Sequence, residues 1–291
     1  MGAIGFIGVG AMGSSIASRL VNSAELLVND KNPAAAEDLV KQGATFASTD
    51  QIAAACRIVF VCLPGPADVT ELLLGPAGLA SRLAPGSVVV DMTTSSPSVD
   101  AEIVAALRET GVDFVDAPIG GGIRRAKAGT AVLMVGAAPE VFPKVKDVLL
   151  TVTSDVFHVG PVGTGHAMKL VNNLLNACNR FAALEAVRLG EAAGLEQNVI
   201  IDVLNKSSGR NYATEYTFPQ LLSGETWLPQ GFTLELTLKD VRLANQLAGS
   251  LGHPMPIGNM VETFIQEAID RFGGDADQSQ MMAEWYKELT A

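Results

Sequence analysis

The feature that most constrains this chain is a glycine-spaced turn close to its start. A strand predicted over Ala3–Val9 runs into Gly8-Val-Gly10-Ala-Met-Gly13, and a helix is predicted over Ser14–Asn22. In such a unit the first glycine permits the tight turn, the second lets the backbone approach a pyrophosphate, and the third allows close helix–strand packing. The helix N-terminus adds free N–H groups for the phosphates. The pattern therefore predicts a dinucleotide site; the alternative is a turn whose glycines only end the strand.

A carboxylate stands where a dinucleotide site needs one. An acidic residue is expected about 20 positions after the first glycine, at the end of the second strand. Asp30 follows the predicted strand Glu25–Asn29, 22 residues after Gly8. Its carboxylate accepts hydrogen bonds from the adenosine ribose and repels a 2′-phosphate, which favours NAD. Lys31 offers that phosphate a cation, so NADP remains an alternative, as does a solvated surface charge for this lysine. The predicted cofactor-binding residues here are Gly8, Gly10, Ala11, Met12, Gly13, Asn29, Asp30 and Lys31.

Apolar runs alternate with amphipathic segments through the first half of the chain. Further strands are predicted over Ile58–Leu63, Ser87–Asp91, Asp113–Asp116, Ala131–Val135 and Val156–Val159, with helices over Ala34–Gln42 and Val99–Thr110. A nearly continuous apolar run is typical of a strand buried on both faces of a parallel sheet. Strand–helix alternation predicts an α/β fold, with a Rossmann-type doubly wound domain over residues 1–161.

The second half of the chain is predicted to be helical. Residues 163–193 contain no proline and favour a helix of about 30 residues, which would join two domains. Further helices are predicted over Gln197–Lys206, Leu234–Leu251, Ile257–Asp270 and Gln278–Leu289. We therefore predict an all-helical domain over residues 162–291 for substrate binding and oligomerisation. Its many apolar residues exceed what one small domain buries, which predicts a homodimer or homotetramer.

Composition argues against several classes of partner. The net charge of −11 repels phosphate backbones, so no nucleic acid partner is expected. No apolar run approaches the roughly 20 residues of a membrane span, and the first residues lack a basic n-region, so we expect no membrane association, no secretory signal and a cytoplasmic location. The cysteines lack metal or redox spacing and are interpreted as buried thiols of a reducing compartment. The histidines form no metal pattern and are interpreted as structural: His158, His166 and His253.

Three further segments carry a resemblance. They are Asp91-Met-Thr-Thr-Ser-Ser-Pro97 and Asp116-Ala-Pro-Ile-Gly-Gly-Gly-Ile-Arg-Arg-Ala-Lys-Ala-Gly-Thr130, which follow strands, and Gly163-Thr-Gly-His-Ala-Met-Lys-Leu-Val-Asn-Asn173, which opens the long helix. With the glycine turn, and in this order, they resemble the β-hydroxyacid dehydrogenase family of 3-hydroxyisobutyrate dehydrogenase-like enzymes. The resemblance covers essentially the whole chain. It implies an oxidoreductase that transfers a hydride between NAD(P) and a small β-hydroxy acid or its semialdehyde, in a cleft between the two domains.

The resemblance implies that Lys169 is the general acid/base and that Asn173 holds the lysine or the substrate. The two residues are four apart and share a helix face. Desolvation at a domain cleft lowers the pKa of a lysine towards neutrality, where it both takes and gives a proton. On the residues alone, the alternatives are a surface lysine near the first turn of the helix and a lysine that pairs a carboxylate. For the asparagines the alternative is helix–helix hydrogen bonding, which best suits Asn172 and Asn176.

Further cofactor contacts are implied by the same resemblance. Thr94 resembles the nicotinamide-side contact, and Leu63 and Pro64 resemble the turn that packs on the cofactor. Asp68 occupies a position often held by asparagine. Lys239, within the C-terminal lysine motif, resembles a lysine that reaches the cofactor and substrate from the second domain, with pairing to Asp240 as its alternative.

One departure from the family pattern affects the substrate. The family has serine followed by two glycines where this chain has Gly120-Gly121-Gly122, so the hydroxyl that helps grip the substrate carboxylate is missing. The resemblance makes all three glycines substrate-binding, with Lys169 and Asn173. Arg124 is a further candidate because arginine offers a planar fork to a carboxylate, and it and Arg125 are otherwise surface charges.

Two other functions remain open on the sequence. Imine reductases share the predicted architecture but usually replace the lysine. A non-catalytic dinucleotide-binding module would keep the glycine turn but would not need Lys169 and Asn173.

Overall fold

The computed structural model describes residues 2–222 and 231–288. The chain forms two compact units, Met1–Lys169 and Leu170–Ala291, which divide inside one long helix. Leu289, the predicted end of the last helix, lies outside the described residues. None of the described helices is both long and apolar enough to cross a membrane.

A nine-stranded sheet forms the centre of the first unit. Its strands are β1 (Ile4–Ile7), β2 (Leu26–Asn29), β3 (Thr45–Phe46), β4 (Ile58–Val61), β5 (Val88–Asp91), β6 (Asp113–Asp116), β7 (Ile119–Gly120), β8 (Val132–Gly136) and β9 (Asp155–Gly160). The order is β3-β2-β1-β4-β5-β6-β8-β7, with β9 paired to β8. Strands β1 to β6 are parallel, in the order of a dinucleotide-binding fold, which confirms the Rossmann prediction. Strands β8 and β9 reverse direction, because β8 pairs antiparallel with β6 and β7.

Seven α-helices connect these strands: α1 (Ala11–Leu20), α2 (Glu37–Lys41), α3 (Thr49–Ala55), α4 (Pro66–Leu74), α5 (Pro97–Leu107), α6 (Gly122–Ala128) and α7 (Phe142–Val152). Helix α1 begins one turn earlier than predicted, because Gly10 is its N-cap residue. Short 3₁₀ turns cover Pro33–Ala36 and Leu79–Ser81. Proline in the first turn helps to start α4, α5 and α7. A capping box formed by Ser48 and Gln51 starts α3.

Both faces of the sheet are buried, as the apolar strands predict. Phe6 of β1 and Phe60 of β4 lie on one face, with ring centroids 5.7 Å apart, in the same core as α1 and α7. The neighbouring residues Ile7 and Val61 lie on the other face, in a core that includes residues of α3, α4 and α5. This alternation is that of a central parallel strand covered on both sides.

The second unit is helical in its described residues, as predicted. The long helix α8 (Thr164–Ala192) begins in the first unit and continues into the second. It is followed by α9 (Gln197–Asn205), α10 (Phe218–Leu222), α11 (Leu234–Ser250), α12 (Pro256–Phe272) and α13 (Gln278–Glu288). A π-helical turn at Ala213–Thr217 leads into α10, and neither was predicted. Buried apolar residues of α8, α11 and α12 form one core, which includes Leu174, Val241 and Ile265.

Candidate active site

The glycine turn has the geometry that a dinucleotide requires. Gly8 has a φ of +89°, and a Cβ there would overlap the carbonyl oxygen of Cys62. A Cβ on Gly13 would overlap the carbonyl oxygen of Gly8, so this glycine lets α1 approach β1. Gly10 differs, because a Cβ there would meet no atom within 4 Å. No side chain caps α1 at Gly10. The open space at an uncapped helix N-terminus fits a pyrophosphate, which the first-turn N–H groups of Ala11, Met12 and Gly13 would bind.

Asp30 is bound to the backbone of this turn. Its Oδ2 accepts a hydrogen bond from the Val9 amide at 2.8 Å, and its Oδ1 accepts one from the Asn32 amide at 2.8 Å. The carboxylate is partly exposed and keeps lone pairs for a ribose. Lys31 is exposed, whereas the Asn29 amide donates to the Ala47 carbonyl at 2.7 Å. Asp30 therefore lies beside the glycine turn, whereas the Asn29 side chain is hydrogen-bonded to the loop after β3.

The residues predicted to lie at the next strand ends are also near one another. The Leu63 amide, after β4, donates to Thr93 Oγ1 at 3.0 Å, which joins this turn to the segment after β5 that contains Thr94. Pro64 is exposed and Asp68 lies in the first turn of α4. These segments follow the carboxyl ends of parallel strands, where ligands bind in such sheets.

Lys169 lies in the second turn of α8 and is partly buried. Its Nζ donates to the Ile119 carbonyl at 2.6 Å, which places the amine beside the strand that leads into the glycine run. Gly121 and Gly122 have φ values of +104° and +71°. A Cβ on Gly120 would lie 3.0 Å from the terminal methyl group of Met134. The structure therefore brings Lys169 and the glycine run together.

The two arginines lie on α6, directly after the glycine run. Arg124 and Arg125 are both exposed. A Cβ on Gly121 would crowd the Arg125 side chain, 2.9 Å from its Cδ. Among the residues that the structure describes, neither arginine forms an ion pair with a carboxylate.

The remaining predicted residues meet within the second unit. Asn173 Nδ2 donates to Asp240 Oδ2 at 2.6 Å, which links α8 to α11. Lys239 Nζ lies 3.4 Å from Asp240 Oδ1, and Asp240 is buried. Asn172 is exposed and donates to the Asn173 side chain at 3.1 Å. The helix–helix hydrogen bond expected first of Asn172 and Asn176 is formed by Asn173, whereas Asn172 bonds within its own helix. Lys239 has the Asp240 partner that was its alternative.

A buried acid–histidine cluster was not predicted. His166 Nδ1 lies 2.8 and 2.9 Å from the two Asp100 carboxylate oxygens, and Nε2 lies 2.8 Å from the Thr93 carbonyl. Asp116 accepts hydrogen bonds from the backbone amides of Gly163 and His166, each at 2.8 Å. Asp91 Oδ2 lies 4.0 Å from Nε2. We refer to His166 and these three aspartates as the His166 cluster. Asp91 and Asp116 end strands, and Asp100 lies in the first turn of a helix. Each is common at such a position, so the sequence alone does not single it out.

Burial and charge act in opposite directions on this cluster. Burial alone would lower the pKa of His166, but the hydrogen bond and charge of Asp100, with the charges of Asp91 and Asp116, raise that pKa to about 9. Burial raises the pKa of Asp91 to about 6 and also raises that of Asp116. Asp91, Asp100 and His166 are close enough together for a metal site. However, both ring nitrogens face oxygen acceptors, so they act as N–H donors and offer a metal no lone pair.

The parallel sheet and the glycine turn with its uncapped helix N-terminus define a dinucleotide-binding protein. Residues 3–160 match the family model described as the NAD binding domain of 6-phosphogluconate dehydrogenase. Residues 163–285 match the model described as the NAD-binding domain of NADP-dependent 3-hydroxyisobutyrate dehydrogenase. The chain belongs to the β-hydroxyacid dehydrogenase family of 3-hydroxyisobutyrate dehydrogenase-like proteins, which confirms the resemblance.

Individual relatives match over nearly the whole chain. The 2-(hydroxymethyl)glutarate dehydrogenase of Eubacterium barkeri is 38% identical over 97% of this chain and 94% of its own. The NAD-dependent L-serine dehydrogenase of Pseudomonas aeruginosa is 34% identical over 88% of this chain and 89% of its own. A structure of Mycobacterium tuberculosis 3-hydroxyisobutyrate dehydrogenase with L-serine has a TM-score of 0.87 at 26% identity, covering 98% of this chain and 99% of that one. A reductive aminase from Aspergillus terreus, at 20% identity and a TM-score of 0.61, shares the fold alone.

Proposed function

We propose that this dehydrogenase oxidises a small β-hydroxy acid to its semialdehyde, or reduces the semialdehyde, with Lys169 as the general acid/base. The observation that carries the proposal is the position of the Lys169 amine, 2.6 Å from the Ile119 carbonyl and beside the glycine run. The nicotinamide supplies or accepts the hydride when it is bound. In oxidation Lys169 Nζ takes the hydroxyl proton, and in reduction it returns that proton to the carbonyl oxygen.

The substrate class follows from what the named relatives share. The molecules in their names, 2-(hydroxymethyl)glutarate, L-serine and 3-hydroxyisobutyrate, each carry a CH₂OH group on the carbon that bears the carboxylate. They differ in the third substituent on that carbon. We propose that the CH₂OH–C–COO⁻ fragment is the part recognised here. The backbone amides of Gly121 and Gly122 would bind its carboxylate, because no serine hydroxyl precedes them.

The third substituent is where this chain departs from the family pattern. Gly120 leaves out a side chain, and Arg124 and Arg125 add two cations on the adjoining helix. These features favour an acid with a longer or negatively charged third substituent over serine and 3-hydroxyisobutyrate. The test is to measure kcat/KM for the three acids, each with NAD and with NADP. We expect 2-(hydroxymethyl)glutarate to be preferred to L-serine and 3-hydroxyisobutyrate. A preference for 3-hydroxyisobutyrate would contradict it.

Lys169→Met tests the chemistry. We expect kcat to fall about 10²- to 10⁴-fold, the range for a lost general acid–base group. NAD binding, measured by quenching of protein fluorescence, should stay near wild type because the phosphate cradle is unchanged. Lys146→Met, an exposed lysine of α7, is the matched control. If Lys169→Met kept more than a tenth of wild-type kcat with chemistry rate-limiting, another group would have to carry the proton.

The assembly and location are also proposals. Exposed apolar side chains on helices of the second unit, among them Leu189, Val203, Ile257 and Met260, favour a homodimer or homotetramer. Light scattering coupled to gel filtration measures the subunit number, and a monomer at micromolar concentration would exclude both. Burial raises the pKa of the Cys56 thiol to about 11, which suits an unreactive cysteine in a reducing cytoplasm.

A further inference from the structure

The hydrogen bonds of His166 determine its protonation. The Thr93 carbonyl can only accept a hydrogen bond, so Nε2 must carry a proton. Nδ1 faces both oxygens of Asp100, so it carries the second proton and the ring is an imidazolium paired with a carboxylate. Asp91 of β5 and Asp116 of β6 are the other charged groups around this ring. The ring is buried and does not reach an open site.

The cluster fixes the first turn of α8. Asp116 accepts hydrogen bonds from two backbone amides of this segment, and the His166 side chain holds it to α5 and to the segment after β5. The approach is close enough to require glycine at position 165, where a Cβ would overlap the Met134 carbonyl oxygen and crowd Asp116. Gly163, with a φ of +92°, starts the turn. The beginning of α8 therefore has one position relative to the ends of β5 and β6.

Two predicted site residues, Lys169 and Thr94, depend on that position. Lys169 lies three residues after His166, one turn further along α8, so any rotation of the first turn displaces Nζ. Thr93 joins the ring through its carbonyl and the Leu63 amide through its hydroxyl, and Thr94 follows it. We propose that His166 is a positioning residue, an imidazolium that holds the first turn of α8 and thereby sets where Lys169 and Thr94 stand. This inference rests on the role proposed for Lys169.

A double-mutant cycle separates positioning from a general structural effect. We expect His166→Gln to lower kcat about 10- to 100-fold, since a displacement of about 1 Å at a catalytic group costs on the order of 10²-fold. In a Lys169→Met background the same change should have a much smaller effect on single-turnover rates, because one of the two groups it positions is gone. Equal losses in both backgrounds would overturn the proposal. His253→Gln, at an exposed histidine, is the control.

The pH profile gives a second readout. Asp100→Asn keeps the shape of the partner but removes the charge that stabilises the imidazolium. We expect the ratio of variant to wild-type kcat to fall as pH rises from 6 to 8, because the ring then loses its Nδ1 proton. A flat ratio would contradict a role for the charged ring.

The protonation state can be measured directly. Nitrogen-15 NMR of the full-length protein should show both His166 ring nitrogens protonated at pH 8. A neutral His166 at pH 7 would overturn the inference. If His166→Gln does not fold, His166→Gln/Asp100→Asn removes the cation and its partner together, and the same kcat loss is expected. A Lys169→Met variant with wild-type kcat would refute the proposed function itself. If Lys169→Met is inactive but His166→Gln keeps wild-type kcat, only the positioning role is refuted.

Discussion

The His166 cluster predicts how the stability of the protein depends on pH. The pKa of His166 is raised from its ordinary 6.5 to about 9 in the folded protein. The folded state therefore holds a proton that the unfolded chain releases over this interval. The stabilisation is complete below pH 6.5 and is lost as pH rises towards 9.

The size of the effect follows from the same interval. One pKa unit corresponds to about 1.4 kcal/mol, so the free energy of unfolding should fall by about 3 kcal/mol between pH 6.5 and 9. Because the ring is fully buried, solvent does not screen this interaction. Two other shifted groups titrate outside this window, since the pKa of Asp91 is about 6 and burial raises that of the Cys56 thiol to about 11.

Urea unfolding at several pH values measures this dependence. Wild type should lose stability between pH 6.5 and 9, whereas His166→Gln should show a much smaller change over the same range. His253→Gln, whose ring is exposed, should follow wild type. If wild type and His166→Gln had parallel stability curves, the stabilising charge on the buried ring would be refuted.

The other predictions concern the cofactor and substrate residues. Gly10→Ala should fold as wild type and weaken NAD binding at least tenfold, whereas Gly13→Ala should lower the melting temperature, because only a Cβ on Gly13 overlaps protein atoms. Calorimetry and cofactor titration distinguish the two variants, and equal melting temperatures would contradict the prediction. Wild type should prefer NAD to NADP about 5- to 150-fold in kcat/KM, from a penalty of about 1–3 kcal/mol for an unpaired charged group, and Asp30→Asn should reduce that ratio; a wild-type preference for NADP would refute the role of Asp30. Gly120→Ser should fold, because the flexible end of Met134 can move, and should shift kcat/KM towards 3-hydroxyisobutyrate; an unchanged panel would show that this position does not face the substrate.

The sequence predicts those features that have a local pattern. The apolar runs locate seven of the strands, and the proline-free segment places the start and end of α8 within one residue. Strands β3 and β7 have only two residues each, too few to show a period, and were missed. Helix α6 was missed because it begins inside the glycine run. Each of these errors comes from an element whose pairing or position is set by tertiary contacts.

The site divides in the same way. The glycine turn and Asp30 lie within one strand–helix–strand unit, so their relation is visible as a spacing. Asp100 and His166 are 66 residues apart, and neither is unusual in its own segment: an acid in the first turn of a helix is ordinary, and so is a lone histidine. Only the ordering of β5, β6 and α8 in space brings them together.

The free-energy cost of burying the His166 cluster is an argument about its role. Burying ions carries a desolvation penalty that apolar side chains of similar size avoid, so a charged cluster is a poor way to gain stability alone. It does fix one geometry, because the ring must satisfy two acceptors on opposite sides and Asp116 must accept two backbone amides at once. Apolar packing would hold the first turn of α8 with less directional restraint. We interpret the cluster as giving up stability in order to fix the position of Lys169 near the start of α8. The pH dependence of unfolding measures the contribution to stability, and the double-mutant cycle measures the contribution to positioning.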